Sequence, residues 1–152
     1  MIQNVLVLCI GNICRSPMAE ALLARELPGL RVRSAGLAAV VGAPADSLSI
    51  DVARSHGLDL IGHRARQVDA TLMQQADLVL VMTRQQRIET EQRFPLARGK
   101  VFLLRHRDGV DVDDPLLQPR SAFETAYADI AVGVGQWQSR LLALPTSQLP
   151  RP

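Results

Sequence analysis

VLVLCIGNICRSP, residues 5–17, holds a strand, a loop and the start of a helix in one short run. Val5-Leu6-Val7-Leu8 is a continuous β-favouring stretch, the mark of a strand buried on both faces. Cys9 to Arg15 mixes a glycine and an asparagine with both cysteines of the chain. Ser16-Pro17 then opens a helix, with a hydroxyl suited to capping and a proline where a missing N–H costs nothing. Met18, Leu22, Leu23 and Leu27 keep a helical spacing until Pro28-Gly29 ends it. If that alternation repeats, the fold is α/β.

It repeats. Leu30 to Ser34 alternates like a second strand, and Gly36 to Ala45 is a loop of small residues. A helix is expected from Asp46 to Ser55, closed by His56-Gly57, and another near Asp69 to Ala76. Leu78 to Met82 is the third strand, Arg84 to Arg93 a polar helix, and Lys100 to Leu104 the fourth strand. An Asp- and Pro-rich loop fills 105–120. The helix Ala122 to Leu144 carries Phe123, Tyr127, Ile130, Val134, Trp137, Leu141 and Leu144 on one stripe. Pure apolar strands alternating with helices give a single three-layer α/β domain: a four-stranded parallel sheet with helices on both faces. The domain is expected over 1–144, with a flexible tail over 145–152. Ligands of such sheets sit beyond the carboxyl ends of the strands, where Cys9 lies.

Composition narrows the partners. The 152 residues fit one domain, and a formal charge of +2 is too small to argue for nucleic acid. Sixteen of the seventeen basic residues are Arg, with Lys100 alone; dispersed along the chain, they read as a solvated surface. Two cysteines make no secreted disulfide scaffold. Met1 to Asn4 lacks a basic leader, and Val5 to Ile10 is too short to span a membrane. A cytoplasmic location, no membrane insertion and a monomer are expected. There, thiols stay reduced and available for chemistry.

A strand, a glycine-containing loop and a helix N-terminus form a general anion-binding device. The ATP-binding pattern G-x-x-x-x-G-K-[ST] and the dinucleotide pattern G-x-G-x-x-G have no match at this loop. In their place stand a thiol, Cys9, and a guanidinium six residues on, Arg15. Residues Ile10, Gly11, Asn12, Ile13, Cys14, Arg15 and Ser16 are enough to wrap one tetrahedral oxyanion, and Arg15 can grip two of its oxygens. The field that holds an oxyanion also favours a thiolate over a thiol, and Ser16 is placed to hydrogen-bond it. Cys9 is therefore the expected nucleophile. Expelling an alkoxide or phenolate also needs an acid, and Asp111, Asp113 and Asp114 are the candidates after the last strand.

CIGNICRS after VLVL resembles the phosphate-binding loop of the low-molecular-weight protein tyrosine phosphatases, C-x-G-N-x-C-R-S. RSAG at 33–36, GHRARQ at 62–67, DLVLVM at 77–82 and DDP at 113–115 follow in that family's order, so the likeness spans nearly the whole chain. Among the family's branches, the chain is most similar to the bacterial enzymes paired with tyrosine autokinases in capsule and exopolysaccharide production. The resemblance implies a sheet in the order 2-1-3-4 and hydrolysis of protein phosphotyrosine through a cysteinyl phosphate, with no cofactor and no metal. It selects Asp114, which precedes Pro115, as the acid. It assigns Asn12, Ser16, Ser34 and His63 to the network that holds the loop, and Cys14 as a redox partner forming a reversible disulfide with Cys9. Where the family often has aromatics after D-P, this chain has Leu116-Leu117, implying an aliphatic cleft rim with Leu37 opposite. A thiolate and a protonated carboxyl needed together imply a bell-shaped pH profile with a mildly acidic optimum.

Three other readings share the cradle. Thioredoxin-coupled arsenate reductases need further cysteines downstream, and none follows Cys14. Protein arginine phosphatases carry threonine where this loop has Ile13, and an apolar residue fits an aryl ester better. A non-catalytic phosphate-binding module requires neither thiol nor acid.

Overall fold

The computed structural model describes residues 1–142; the expected tail, and Leu144 of the helical stripe, lie outside them. Strand β1 (Asn4–Cys9) leads into α1 (Arg15–Glu26) and β2 (Arg31–Gly36). Helices α2 (Ser47–Ser55) and α3 (Ala70–Gln75) precede β3 (Leu78–Val81). Helix α4 (Arg84–Arg93), a short 3₁₀ turn (Pro95–Ala97), β4 (Val101–Leu103) and α5 (Arg120–Leu142) complete the fold. The sheet is parallel throughout, in the order β2-β1-β3-β4.

Alternation along the strands divides the core in two. Val5, Val7, Leu78 and Leu80 pack with Met18, Leu22, Val52, Phe123, Ile130 and Trp137, so α1, α2 and α5 cover one face. Leu6, Leu8, Val79, Val81, Val101 and Leu103 face the other way, onto Val68, Met73, Ala76 and Ala97 around α3 and the 3₁₀ turn. Each strand is thus apolar on both sides, which is why these runs show no polar alternation. The stripe on α5 seats as expected, and the Trp137 indole N–H donates to the Leu103 carbonyl at 3.2 Å.

Local signals set most boundaries. Asp46, Asp69 and Thr83 cap α2, α3 and α4 through side-chain oxygens that accept from Leu48, Leu72 and Gln86 N–H. Helix α1 departs from expectation. It starts at Arg15, its capping position is Cys14, and no side chain caps it. Ser16 lies inside the helix because its hydroxyl is engaged elsewhere, by Cys9 and Asn12. Strand β2 runs two residues beyond Ser34, since Ala35 and Gly36 pair with Leu8 and Cys9. That register brings the RSAG segment level with Cys9.

Candidate active site

Cys9 closes β1 and is buried, and its Sγ lies 2.9 Å from the Ser16 Oγ on the first turn of α1. The loop between them is held from within by Asn12, fully buried with φ 58°. Asparagine tolerates this left-handed backbone better than most residues. Its amide nitrogen donates to Ser16 Oγ at 2.8 Å and to Ser34 Oγ at 3.0 Å, and its Oδ1 accepts the Arg66 backbone N–H at 2.9 Å. The Asn12 carbonyl accepts from His63 Nε2 at 2.6 Å, which places the proton on that nitrogen because a carbonyl cannot donate. One side chain therefore ties the loop to α1, to β2 and to the 62–67 segment. Ser34 in turn donates to both carboxyl oxygens of Glu20 at 3.3 Å. Burial pushes the Glu20 carboxyl above its ordinary range, opposed by the nearby positive charge of His63 and the Ser34 bond.

Arg15 is buried. It donates from one terminal nitrogen to the Val112 carbonyl at 2.8 Å and lies 3.7 Å from Asp114 Oδ2 through the other. Its Nε is buried with no protein acceptor among the described residues. Fully buried Val112 donates its own N–H to Met82 O, anchoring the loop that carries Asp114 to the end of β3. Asp114 accepts the Leu116 N–H, and Gln118 N–H closes a turn on the Pro115 carbonyl. Cys9, Ile10, Gly11, Ile13, Cys14, Arg15, Ala38, Val40, Asp114 and Leu116 line one cleft of about 160 Å³. A thiol, a guanidinium and a carboxyl thus share one cleft at a helix N-terminus, with backbone amides between them. This arrangement can grip a tetrahedral oxyanion, attack it through sulfur and protonate a leaving group. Larger hollows beside Arg31 and Arg33, and beside Phe94 and Leu96, contain no thiol. No three His, Cys, Asp or Glu side chains among the described residues gather to hold a metal.

The family described as low molecular weight phosphotyrosine protein phosphatase matches residues 4–144. The chain belongs to that family. This phosphatase is 48% identical over 144 residues to the probable low molecular weight protein-tyrosine-phosphatase EpsP of Ralstonia solanacearum, covering 95% of the chain and 99% of the relative. It is 43% identical to the low molecular weight protein-tyrosine-phosphatase Wzb of Escherichia coli K12, covering 94% and 98%. The structure of Vibrio vulnificus Wzb in complex with benzylphosphonate superposes with a TM-score of 0.89 at 38% identity, covering 92% of this phosphatase and 99% of that chain.

The fold brings together Cys9, Asn12, Arg15, Ser16, Ser34, His63 and Asp114, which span more than a hundred residues of sequence. Some placements differ from expectation, and other residues were missed. Leu37 is not at the cleft rim: it is 2% exposed and packs in the core beneath the sheet, because its N–H continues the β1 pairing by bonding to Cys9 O. Ala38 and Val40 take that wall in its place. Leu116 lines the cleft, but Leu117, 93% exposed at φ 63°, lies outside the lining. Glu20 and the Arg66 N–H were not singled out by sequence. Glu20 lies four residues after Ser16, one turn further along α1, and that spacing was the available signal.

Cys14 also lines the cleft, and its thiol is pushed up to about 12, by burial first and then by the charges of Asp46, Cys9 and Asp114. It is a protonated neighbour of Cys9 at neutral pH, and both are free thiols.

Proposed function

We propose that this phosphatase hydrolyses protein phosphotyrosine by double displacement, with Cys9 as nucleophile, Arg15 as phosphate clamp and Asp114 as acid and then base. The observation that carries the assignment is the convergence of those three side chains on one cleft, with Ser16 Oγ 2.9 Å from the sulfur. The Cys9 thiolate attacks phosphorus while Asp114 protonates the departing tyrosyl oxygen, whose conjugate acid has a pKa of about 10. A cysteinyl phosphate remains. Asp114, now ionised, takes a proton from water, which displaces the sulfur and releases phosphate. The amides of Ile10 to Ser16 and the Arg15 guanidinium hold the equatorial oxygens through both steps. Arg15 lies against Asp114 and Val112 O. A phosphate offers that guanidinium a better partner than a carboxylate 3.7 Å away.

The substrate proposed is a tyrosine autokinase of exopolysaccharide production, reached by a monomeric enzyme in the cytoplasm. The reading is supported by the likeness to the exopolysaccharide- and capsule-associated relatives EpsP and Wzb. Among the described residues no helix is long and apolar enough to cross a membrane.

Hydrolysis of p-nitrophenyl phosphate should be abolished by Cys9→Ser and slowed about 100-fold or more by Asp114→Asn, the usual scale of general acid catalysis. Phosphate release from a tyrosine-phosphorylated kinase tail should exceed release from a phosphoarginine peptide. Full activity of the Cys9→Ser protein would refute the mechanism, and a preference for phosphoarginine would refute the substrate.

A further inference from the structure

We propose that the hollow between β2 and the last turn of α3 is a binding site for a phosphate monoester carried on a small apolar group. Arg31 and Arg33 grip the phosphate, and Leu6, Leu72 and Ala76 seat the apolar part. The site is separate from the cleft and does not depend on the phosphatase reading. Asn4, in its lining, and Cys9 are the two ends of β1, roughly 16 Å apart along the strand.

The first observation is a break in the pattern of the sheet. On the face packed against α3, Leu6, Leu8, Ala35, Val79 and Val81 are buried and apolar. The register sets Arg31 beside Asn4 and Arg33 beside Leu6, so both arginines stand on that same face. Both are exposed, whereas Val32 between them turns to the opposite face and is half-buried there. Helix α3 has only six residues, and this corner of the sheet is left as a hollow of about 280 Å³. Drug-sized sites enclose ~300–1,000 Å³, so the ligand here is small.

The second is uncompensated charge. The lining holds two guanidiniums, the side-chain amides of Asn4 and Gln75, and otherwise apolar residues, with no carboxylate. Neither arginine forms an ion pair with a carboxylate among the described residues. Arg33 donates only to Gln75 Oε1, at 3.3 Å. Asp77, just past α3, is engaged by the Gln3 and Asn4 N–H groups at 2.9 and 2.8 Å. Two like charges two residues apart on one face repel each other until an anion joins them. A phosphate ester carries nearly two charges at neutral pH and offers three oxygens to two planar forks, whereas a carboxylate supplies one charge. The apolar floor adds affinity only for a ligand with a carbon body, which sets an ester above inorganic phosphate.

The test follows backbone amide shifts of the wild-type protein by NMR during titration with phenylphosphonate, which has no ester bond to hydrolyse. The Leu72, Gln75 and Ala76 amides should shift along a saturable curve of their own, distinct from that of Gly11 and Asn12. Binding there should be about tenfold tighter than that of benzoate, and tighter than that of inorganic phosphate. Arg31→Gln and Arg33→Gln should each weaken this curve about tenfold or more, the scale of one charge-assisted hydrogen bond. The Gly11 and Asn12 curve and p-nitrophenyl phosphate hydrolysis should stay at wild-type values in both variants. A peptide carrying phosphonomethyl-phenylalanine separates the two sources of such a group. Tighter binding of the peptide at Leu72 assigns the site to a phosphorylated protein, and peptide shifts confined to the cleft assign it to a free small ester. Phenylphosphonate shifts confined to Gly11 and Asn12, or benzoate or inorganic phosphate binding as tightly, would overturn the proposal. So would a double variant that still takes phenylphosphonate but self-associates in sedimentation, which would assign the arginines to guarding the sheet edge. Loss of p-nitrophenyl phosphate hydrolysis in the wild type would sink the phosphatase reading alone and leave these shifts standing.

Discussion

Replacing Asn12 by alanine tests whether one buried amide holds the phosphate loop in its working shape. The side chain makes three hydrogen bonds: to Ser16 at 2.8 Å, to Ser34 at 3.0 Å and from Arg66 N–H at 2.9 Å. At about 1 kcal/mol net for each bond, their loss costs roughly 3 kcal/mol. Alanine at φ 58° adds about 1 kcal/mol of left-handed strain that asparagine bears more easily. The sum, roughly 4 kcal/mol, is a large part of the ~5–15 kcal/mol that holds a domain together. For a chain of this size it corresponds to a fall in Tm of about 8–16 °C. Asn12→Gly keeps the bond loss and removes the strain, so it should lie about 1 kcal/mol above Asn12→Ala in urea unfolding. Because the amides of Ile10 to Ser16 move with the loop, kcat for p-nitrophenyl phosphate should fall on the order of 100-fold in both variants. A loss of less than about 1 kcal/mol with kcat unchanged would refute the reasoning, because the loop would then hold its shape without Asn12.

Gly36→Ala would place a Cβ 2.5 Å from Ile10 O and 2.9 Å from Ala39 Cβ, so backbone must move. Destabilisation of about 1–3 kcal/mol in thermal unfolding is expected, with a larger drop in kcat because the displaced carbonyl belongs to the phosphate loop. Glu20 carries a carboxyl raised above its unfolded value by burial, so the folded state holds its proton to higher pH. Stability should therefore decline as pH rises from the unfolded carboxylate value through the folded one; Glu20→Gln should flatten that decline in urea midpoints taken from pH 4 to 8, and an unchanged slope would refute it. Once peroxide has converted the Cys9 thiolate to a sulfenic acid, Cys14 sulfur can displace water to form the disulfide. Burial keeps the Cys14 thiol protonated at neutral pH, so closure through its thiolate should speed up as pH rises across neutrality. Cys14→Ser should leave reduced activity largely intact and make peroxide inactivation irreversible by thiol, and recovery equal to wild type would count against the pairing.

Much of the fold was legible because its causes are local. Val5 to Leu8 and Leu78 to Val81 are apolar at every position, so any sheet that contains them must be covered on both faces. Asp46 and Asp69 cap helices with oxygens two or three residues from the N–H they satisfy, and such signals survive in a linear sequence. A glycine-containing loop between a strand and a helix N-terminus is a general anion-binding arrangement, and Cys9 and Arg15 are near enough in sequence to be read as a pair.

What tertiary structure alone decided are contacts between residues far apart in the chain. Leu37 and Val40 are close neighbours in an apolar loop, yet one is in the core and the other on the cleft wall. Their backbone pairing with Cys9 and Gly11 sets which side each faces, and composition carries no trace of it. The Arg66 N–H reaches Asn12 across 54 residues, and Arg15 reaches the Val112 carbonyl across 97. Backbone donors and acceptors are the same for every residue type, so their partners leave no mark on the letters. The sequence alone singled out the thiol, guanidinium and carboxyl of the proposed chemistry; packing of the sheet and its helices determined their distances and which residues wall the cleft around them.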